Sequence, residues 1–271
     1  MTARTREDLL ALYDERLRGE AELWDAPELT RIGALWAGTF PKRRRGFLSH
    51  QPLEPGADVD VLVGAAVAHF QADRRVDRFE WKTRGHDALP GLARALDEHG
   101  LRAGERETVM AGEARAAIDA DRGLPPGYMV ERARDEATVR EGEALAGRVF
   151  EDSPEESGRM ADELVASMLR DPERVTMWLV RGPRGEVVCS GRLELVPGSG
   201  FAGLWGGACD PVHRGRGLYR AVTAARARWA IEHGASLLQS DCTEYSRPLL
   251  ERAGLLAITT TTPFLWRRAA D

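Results

Sequence analysis

The sequence predicts an α/β protein with a mixed, mostly antiparallel sheet and helices on both faces, arranged as two related lobes. Three observations predict it. From residue 128 onward the apolar pattern switches between strand and helix periods in the order β, α, α, β, β, β, α, β, α, β. Residues 174–195 hold two strand-like runs, RVTMWLV and EVVCSGRLEL, around the turn GPRG, so part of the sheet is a hairpin. The first half then echoes the second: helix, strand, helix, glycine and strand occur at 58–113 and again at 217–268.

Taking the elements in order, Leu9, Leu12, Tyr13 and Leu17 stand near helical spacing in residues 4–18. A short helix follows around 20–29, and residues 31–40 read as a strand. QPLEPG at 51–56 is a loop. Residues 58–72 form a buried helix capped by Asp58. A strand at 79–83 leads through a loop to a helix at 89–100, which Gly100 closes as a left-handed cap. A strand at 106–113 completes the first half. DADRGLPPG at 119–127 combines charge, Gly and paired Pro and is the linker, so the expected domains are 1–123 and 124–271. Beyond it come a strand at 128–133 and helices at 135–149 and 155–170. Glu155 and Glu156 lie where the positive end of the second helix favours carboxylates. After the hairpin, a glycine-weakened strand at 201–210 precedes a helix at 217–233. A buried strand at 236–242, a short helix at 246–253 and a last strand at about 256–267 follow. Each half ends on one strand, which leaves sheet edges that the two lobes are expected to cover for each other.

The bulk properties narrow the function. A chain of 271 residues, 43% hydrophobic and 30% charged, can bury a sizeable core. It has no apolar run of membrane-spanning length, and MTARTREDLL lacks the apolar centre of a secretory signal. Cys189, Cys209 and Cys242 have no metal-type spacing and suit free thiols, so no metal site and a cytoplasmic location are expected. A net charge of −5 argues against a nucleic-acid partner. The basic cluster Lys42 to Arg45 reads as a solvated loop rather than an anion site. Nothing in these features specifies the oligomeric state.

The stretch that carries chemistry is Cys209-Asp210-Pro211-Val212-His213-Arg214-Gly215-Arg216-Gly217-Leu218-Tyr219-Arg220. A strand ends, the chain turns through two glycines, and a helix begins. Backbone N–H groups then converge beside a helix N-terminus, which suits a pyrophosphate. Arg214, Arg216 and Arg220 add positive charge. No Gly-Lys-Ser/Thr follows, so this is not a Walker loop, and Arg220 occupies the place of the third glycine of a dinucleotide fingerprint.

This segment resembles the acetyl-coenzyme-A loop of the GCN5-related N-acetyltransferases, whose pattern is Gln/Arg-x-x-Gly-x-Gly/Ala. Arg214, Gly215, Arg216, Gly217 and Leu218 carry the match, and Pro211 sits where that family often has proline. Tyr219 departs from the pattern; its ring either crowds the diphosphate or turns to solvent. The resemblance spans roughly residues 128–268 and implies a tandem form whose N-terminal lobe is degenerate, having no Gly-x-Gly loop after a strand. It implies acetyl-CoA as co-substrate. The backbone of Gly207, Ala208 and Cys209 would meet the pantetheine arm where the sheet splays, and Gly215 to Arg220 would hold the pyrophosphate. Thr243 and Ser246 would lie near the pantetheine or the thiol, or cap the helix that follows.

The implied reaction is direct attack of a neutral amine, on a small molecule or a peptide, on the thioester. Many members place a tyrosine four residues before the glycine that ends the last helix; counting back from Gly254 gives Leu250, which holds no proton to donate. Tyr245 lies about 140° further round an ideal helix. Glu194, Asp241 and Glu244 are candidate bases, each also readable as a surface carboxylate. Cys209 reads as a small buried residue and His213 as an exposed one. In the first half, Trp81, Lys82 and the turn Gly85-His86-Asp87 are placed to reach an acceptor cleft, although Trp81 reads first as core. The missing tyrosine keeps a second reading open, that of a non-catalytic acyl-CoA-binding regulatory module.

Overall fold

The computed structural model describes residues 4–54 and 56–269, divided between two units. The first takes in Thr5–Val109 and the chain from Ile258 on; the second takes in Met110–Ala257 together with Arg4.

The first unit begins with α1 (Arg6–Leu17), started by a capping box between Thr5 and Asp8. Its strands are β1 (Glu28–Ile32), β2 (Leu35–Phe40), β3 (Arg45–His50) and β4 (Arg78–Arg84), with β5 (Arg102–Ala103) and the start of β6 (Glu107–Glu113). The helices α2 (Val59–Ala72) and α3 (Leu92–Glu98) flank β4 in the chain. β1, β2 and β3 form an antiparallel meander, β3 runs parallel to β4, and the last strand of the sequence, β12 (Leu256–Arg267), pairs antiparallel with β4 from Thr261 to Arg267. β12 also contributes to the core. The Phe79 ring stacks on Phe70 at 4.5 Å and on Trp266 at 5.5 Å between centroids, each contact adding about 0.5–1.5 kcal/mol beyond area burial. Trp81 is fully buried in the same cluster, the core role expected of it.

In the second unit β6 leads into α4 (Ala114–Asp119) and β7 (Met129–Arg132). The helices α5 (Glu136–Phe150) and α6 (Pro154–Arg170) follow, then β8 (Val175–Arg181), β9 (Val187–Leu195) and β10 (Phe201–Cys209). The chain ends this unit with α7 (Leu218–Glu232), β11 (Leu237–Cys242) and α8 (Arg247–Arg252). The strand order is β6-β11-β10-β9-β8-β7. β7 to β10 are antiparallel neighbours and β10 runs parallel to β11. Leu193 and Leu204 pack with Ala227 and Ala230 of α7 on one face. On the other face, Gly142 of α5 lies against Met177 and Leu179. Helices thus cover both faces of a mixed, mostly antiparallel sheet.

Four local readings change. The expected helix at 20–29 is a 3-10 turn, Gly19–Leu23, followed by β1, whose mostly exposed residues carry no apolar period and are held by pairing with β2. β3 begins at Arg45, inside the basic cluster read as a loop; Arg43 and Arg44 of that cluster pair with Asp25 and Asp77. α4 lies just before the linker and was not anticipated. The expected boundary at 123/124 does not coincide with the division between units. Met110, Ala114 and Ala117 belong to the core of the second unit, and β12 from Ile258 onward belongs to the first.

Candidate functional site

The site begins where β10 leaves β11. The two strands pair at Phe201–Leu237, Ala202–Leu238 and Gly203–Gln239, and the pairing stops there although both continue. The Ser240 hydroxyl still reaches across, donating to the Leu204 carbonyl at 2.9 Å. On its other side β10 bulges. Trp205 opposes Arg192 and Ala208 opposes Ser190, so β10 spends an extra residue there, and Gly206 takes a positive φ of 57°. The freed backbone from Leu204 to Cys209 includes Gly207, Ala208 and Cys209, the residues expected to face a pantetheine arm.

Beyond β10, Asp210 caps a 3-10 turn at Pro211–His213, and the chain enters α7 through Gly215 and Gly217, with φ of 76° and 81°. Both need glycine for that conformation. Gly217 is the N-cap and offers no side chain to the first-turn amides, so Leu218, Tyr219 and Arg220 present N–H groups that the helix itself does not use. Arg214 folds its Nε onto the Cys209 carbonyl at 3.1 Å, and Arg220 lies close over Gly217 with an enclosed Nε. Among the described residues, Arg214, Arg216 and Arg220 pair with no carboxylate. A helix N-terminus with three uncompensated arginines is a site for a polyanion.

Tyr219 does neither of the two things expected of it. Its ring turns inward, so close to β10 that a Cβ on Gly207 would stand 2.6 Å from it, and burial, opposed by Arg226, pushes its hydroxyl pKa up. The ring therefore leaves the N-terminus of α7 uncrowded. Cys209 lies opposite Cys189 in the β9–β10 ladder. Their shared side-chain hydrogen bond raises the Cys189 thiol and, helped by Arg214, lowers that of half-buried Cys209. His213 is half-buried rather than exposed, its Nδ1 2.9 Å from the Tyr128 hydroxyl.

Ser246 stands at the N-cap of α8, but its side chain makes no capping bond. Leu250 is fully buried in the core, so the place of the family's tyrosine is a packing position. Tyr245 is 92% exposed and precedes the helix. Glu244 is exposed and 3.8 Å from Arg247. Glu194 and Asp241 are half-buried. Glu194 and Gln239 flank Gly203 in the ladder, and Gln239 donates to Asp241 at 2.7 Å. These three therefore share the sheet face opposite α7.

That face also holds two residues the sequence reading passed over, Glu143 of α5 and Arg192 of β9. Val139, Gly142, Leu145 and Ala146 mark the buried side of α5, and Glu143 stands among them with 3% exposure. A charge inside the apolar stripe of an amphipathic helix was the available signal.

The first unit closes the corresponding place. α2 follows β3 as α7 follows β10, but its N-terminus is capped by Asp58, which accepts from the Val61 amide at 3.1 Å. A carboxylate already occupies the anion position. The groups expected near a cleft are tied into an ion network. Lys82 and Arg84 pair with Glu22, which also accepts from Ser49. Arg18 holds Asp87 through two bonds of 2.8 and 2.7 Å, and His86 bridges Asp14 and Thr259.

No protein-family model and no curated protein matches this chain. Solved structures do, at low identity. A GCN5-related N-acetyltransferase from Kribbella flavida is 19% identical, with 92% of each chain covered and a TM-score of 0.70. One from Sphaerobacter thermophilus is 17% identical over 88% of this chain and 78% of its own, with a TM-score of 0.63. A tandem GNAT protein from the clavulanic acid biosynthesis pathway is 13% identical and covers 100% of this chain and 98% of its own, also at 0.63.

Proposed function

Because the chain has the fold of the GCN5-related N-acetyltransferases in tandem form, we propose that its second unit binds acetyl-CoA and transfers the acetyl group to an amine. One observation carries this reading: the glycine-opened N-terminus of α7, with Arg214, Arg216 and Arg220 free of carboxylate partners, stands beside the gap between β10 and β11. When bound, the co-substrate supplies an activated thioester. The residues of this chain do the rest. The first-turn amides of α7 and the arginines hold the pyrophosphate. The edge of β10 that β11 leaves free beyond Gly203 would hydrogen-bond the pantetheine arm as a strand does. Thr243 and Ser246 offer hydroxyls near its thiol end. Amides aimed at the thioester oxygen would stabilise charge developing there.

Calorimetry on the full chain tests the reading. Acetyl-CoA should bind, and Gly217→Asp should abolish binding while the circular-dichroism spectrum stays intact, because the charge and bulk of the new carboxylate stand at the anion position. Unchanged affinity in that variant would make the loop a mere turn.

Leu250 supports a second reading, in which the unit binds acyl-CoA without turning it over. Acetyl-CoA binding combined with no thiol release across a panel of amines would select it.

A further inference from the structure

The Glu143 carboxylate has no hydrogen-bond or ion-pair partner among the described residues, although the residue is 3% exposed. Buried carboxylates without partners are rare, because desolvation is not offset. Neither of its oxygens is among the fully enclosed, unpartnered polar atoms, so the small accessible part of Glu143 includes its carboxylate. Arg192 has the same character. It is half-buried, its Nε is enclosed without a partner, and its guanidinium forms no ion pair among the described residues. The two charges act on each other electrostatically without touching.

Their place is informative. Arg192 opposes Trp205, and a Cβ on Gly206 would stand 3.2 Å from its Nε, so its side chain lies over the bulge where β10 has already left β11. The Ser190 hydroxyl donates to the Gly142 carbonyl at 3.3 Å and ties α5 to β9 one residue from Glu143. Arg192 therefore lies over the bulge and Glu143 beside β9, both on the sheet face opposite α7.

We propose that Glu143 and Arg192 form the acceptor seat, Glu143 taking the amine and Arg192 an anionic group on the same molecule, so that the substrate class is an amine bearing a carboxylate or a phosphate. This rests on the reading of the neighbouring loop as a coenzyme A site. Glu143 accepts one proton from the bound ammonium. The freed lone pair forms the C–N bond to the acetyl carbon as the C–S bond breaks, and the second proton shed by nitrogen leaves with the thiolate. Glu143 then returns its proton to solvent. Burial, reinforced by Asp152 at the end of α5 and opposed by Arg192, holds this carboxyl above its ordinary value, which matches it to a base working closer to neutrality.

The test uses the full chain and three probes: β-alanine, O-phosphoethanolamine and ethylamine. Calorimetry without cofactor should show the zwitterions binding at least about ten-fold more tightly than ethylamine, a charge-assisted contact being worth that much. Arg192→Met should remove the preference; the better of the two zwitterions identifies carboxylate or phosphate. With acetyl-CoA present, Glu143→Gln should lower kcat/KM and flatten its acid limb, and Glu143→Asp should restore part of it. Glu143→Gln should melt no lower than the parent at pH 8, so that lost turnover is not lost fold. Equal binding of all three probes, no zwitterion binding at millimolar concentration, or unchanged kinetics in Glu143→Gln overturns the proposal. Failure of the loop shows separately, as absent acetyl-CoA binding beside intact zwitterion binding.

Discussion

Burial alone would raise the Glu22 carboxyl, but the charges of Arg84 and Lys82 override it and take its pKa to about 2. His50 moves down as well, to about 4, chiefly by burial with Arg18 and Arg84 adding to it. Both shifts remove stability as pH falls. The unfolded chain protonates His50 first, from about 6.5, and Glu22 from about 4.5, while the folded state resists until about 4 and about 2. Urea midpoints should therefore fall from pH 6.5 downward. Glu22→Gln should cost about 3–5 kcal/mol at pH 7, by leaving Arg84 without its buried carboxylate, and should flatten the profile below pH 4.5. A slope below pH 4.5 that matches the parent would refute this account of Glu22. At this scale the sequence displayed the anion loop, because glycines and arginines contiguous in the chain act together. Glu143 and Arg192 stayed hidden, since α5 and β9 must pack before an unpaired charge becomes visible.

The N-termini of α2 and α7 answer the same electrostatic need in opposite ways. Asp58 satisfies one orphan amide of α2 from within the chain, whereas Gly217 leaves the first turn of α7 open. Asp58→Ala should lower stability by about 1 kcal/mol in chemical denaturation. It should create no acetyl-CoA binding in the first unit, because Asp60 remains in the first turn of α2 and opposes an anion there; a second site detected by calorimetry would contradict this. The helix start at Asp58 was legible because capping is local. β1 and β3 were not: their stability comes from the meander, and the basic cluster that runs into β3 at Arg45 masked its period. The short helix before the linker was hidden by its neighbouring Pro and Gly.

From β7 to β12 the order of elements was readable, but not which unit takes the final strand, since strand partners are chosen at long range. Phe264 and Trp266 complete the core of the first unit. A chain ending at Leu255 should therefore leave residues 5–109 open to limited proteolysis while residues 110–255 resist it; equal resistance of both would count against the exchange. A fragment starting at residue 124 should suffer the reverse defect, having lost Met110, Ala114 and Ala117 from its core. The exchange also bears on synthesis. Thr5–Val109 are made before Met110–Ala257, yet they belong to the unit that is finished last. The ribosome must add Met110–Ala257 before the missing strand exists, a wait of about 7–30 s at ordinary elongation rates. The order of assembly thus runs against the order of translation, and the unit that carries the anion loop can mature while its predecessor is still incomplete.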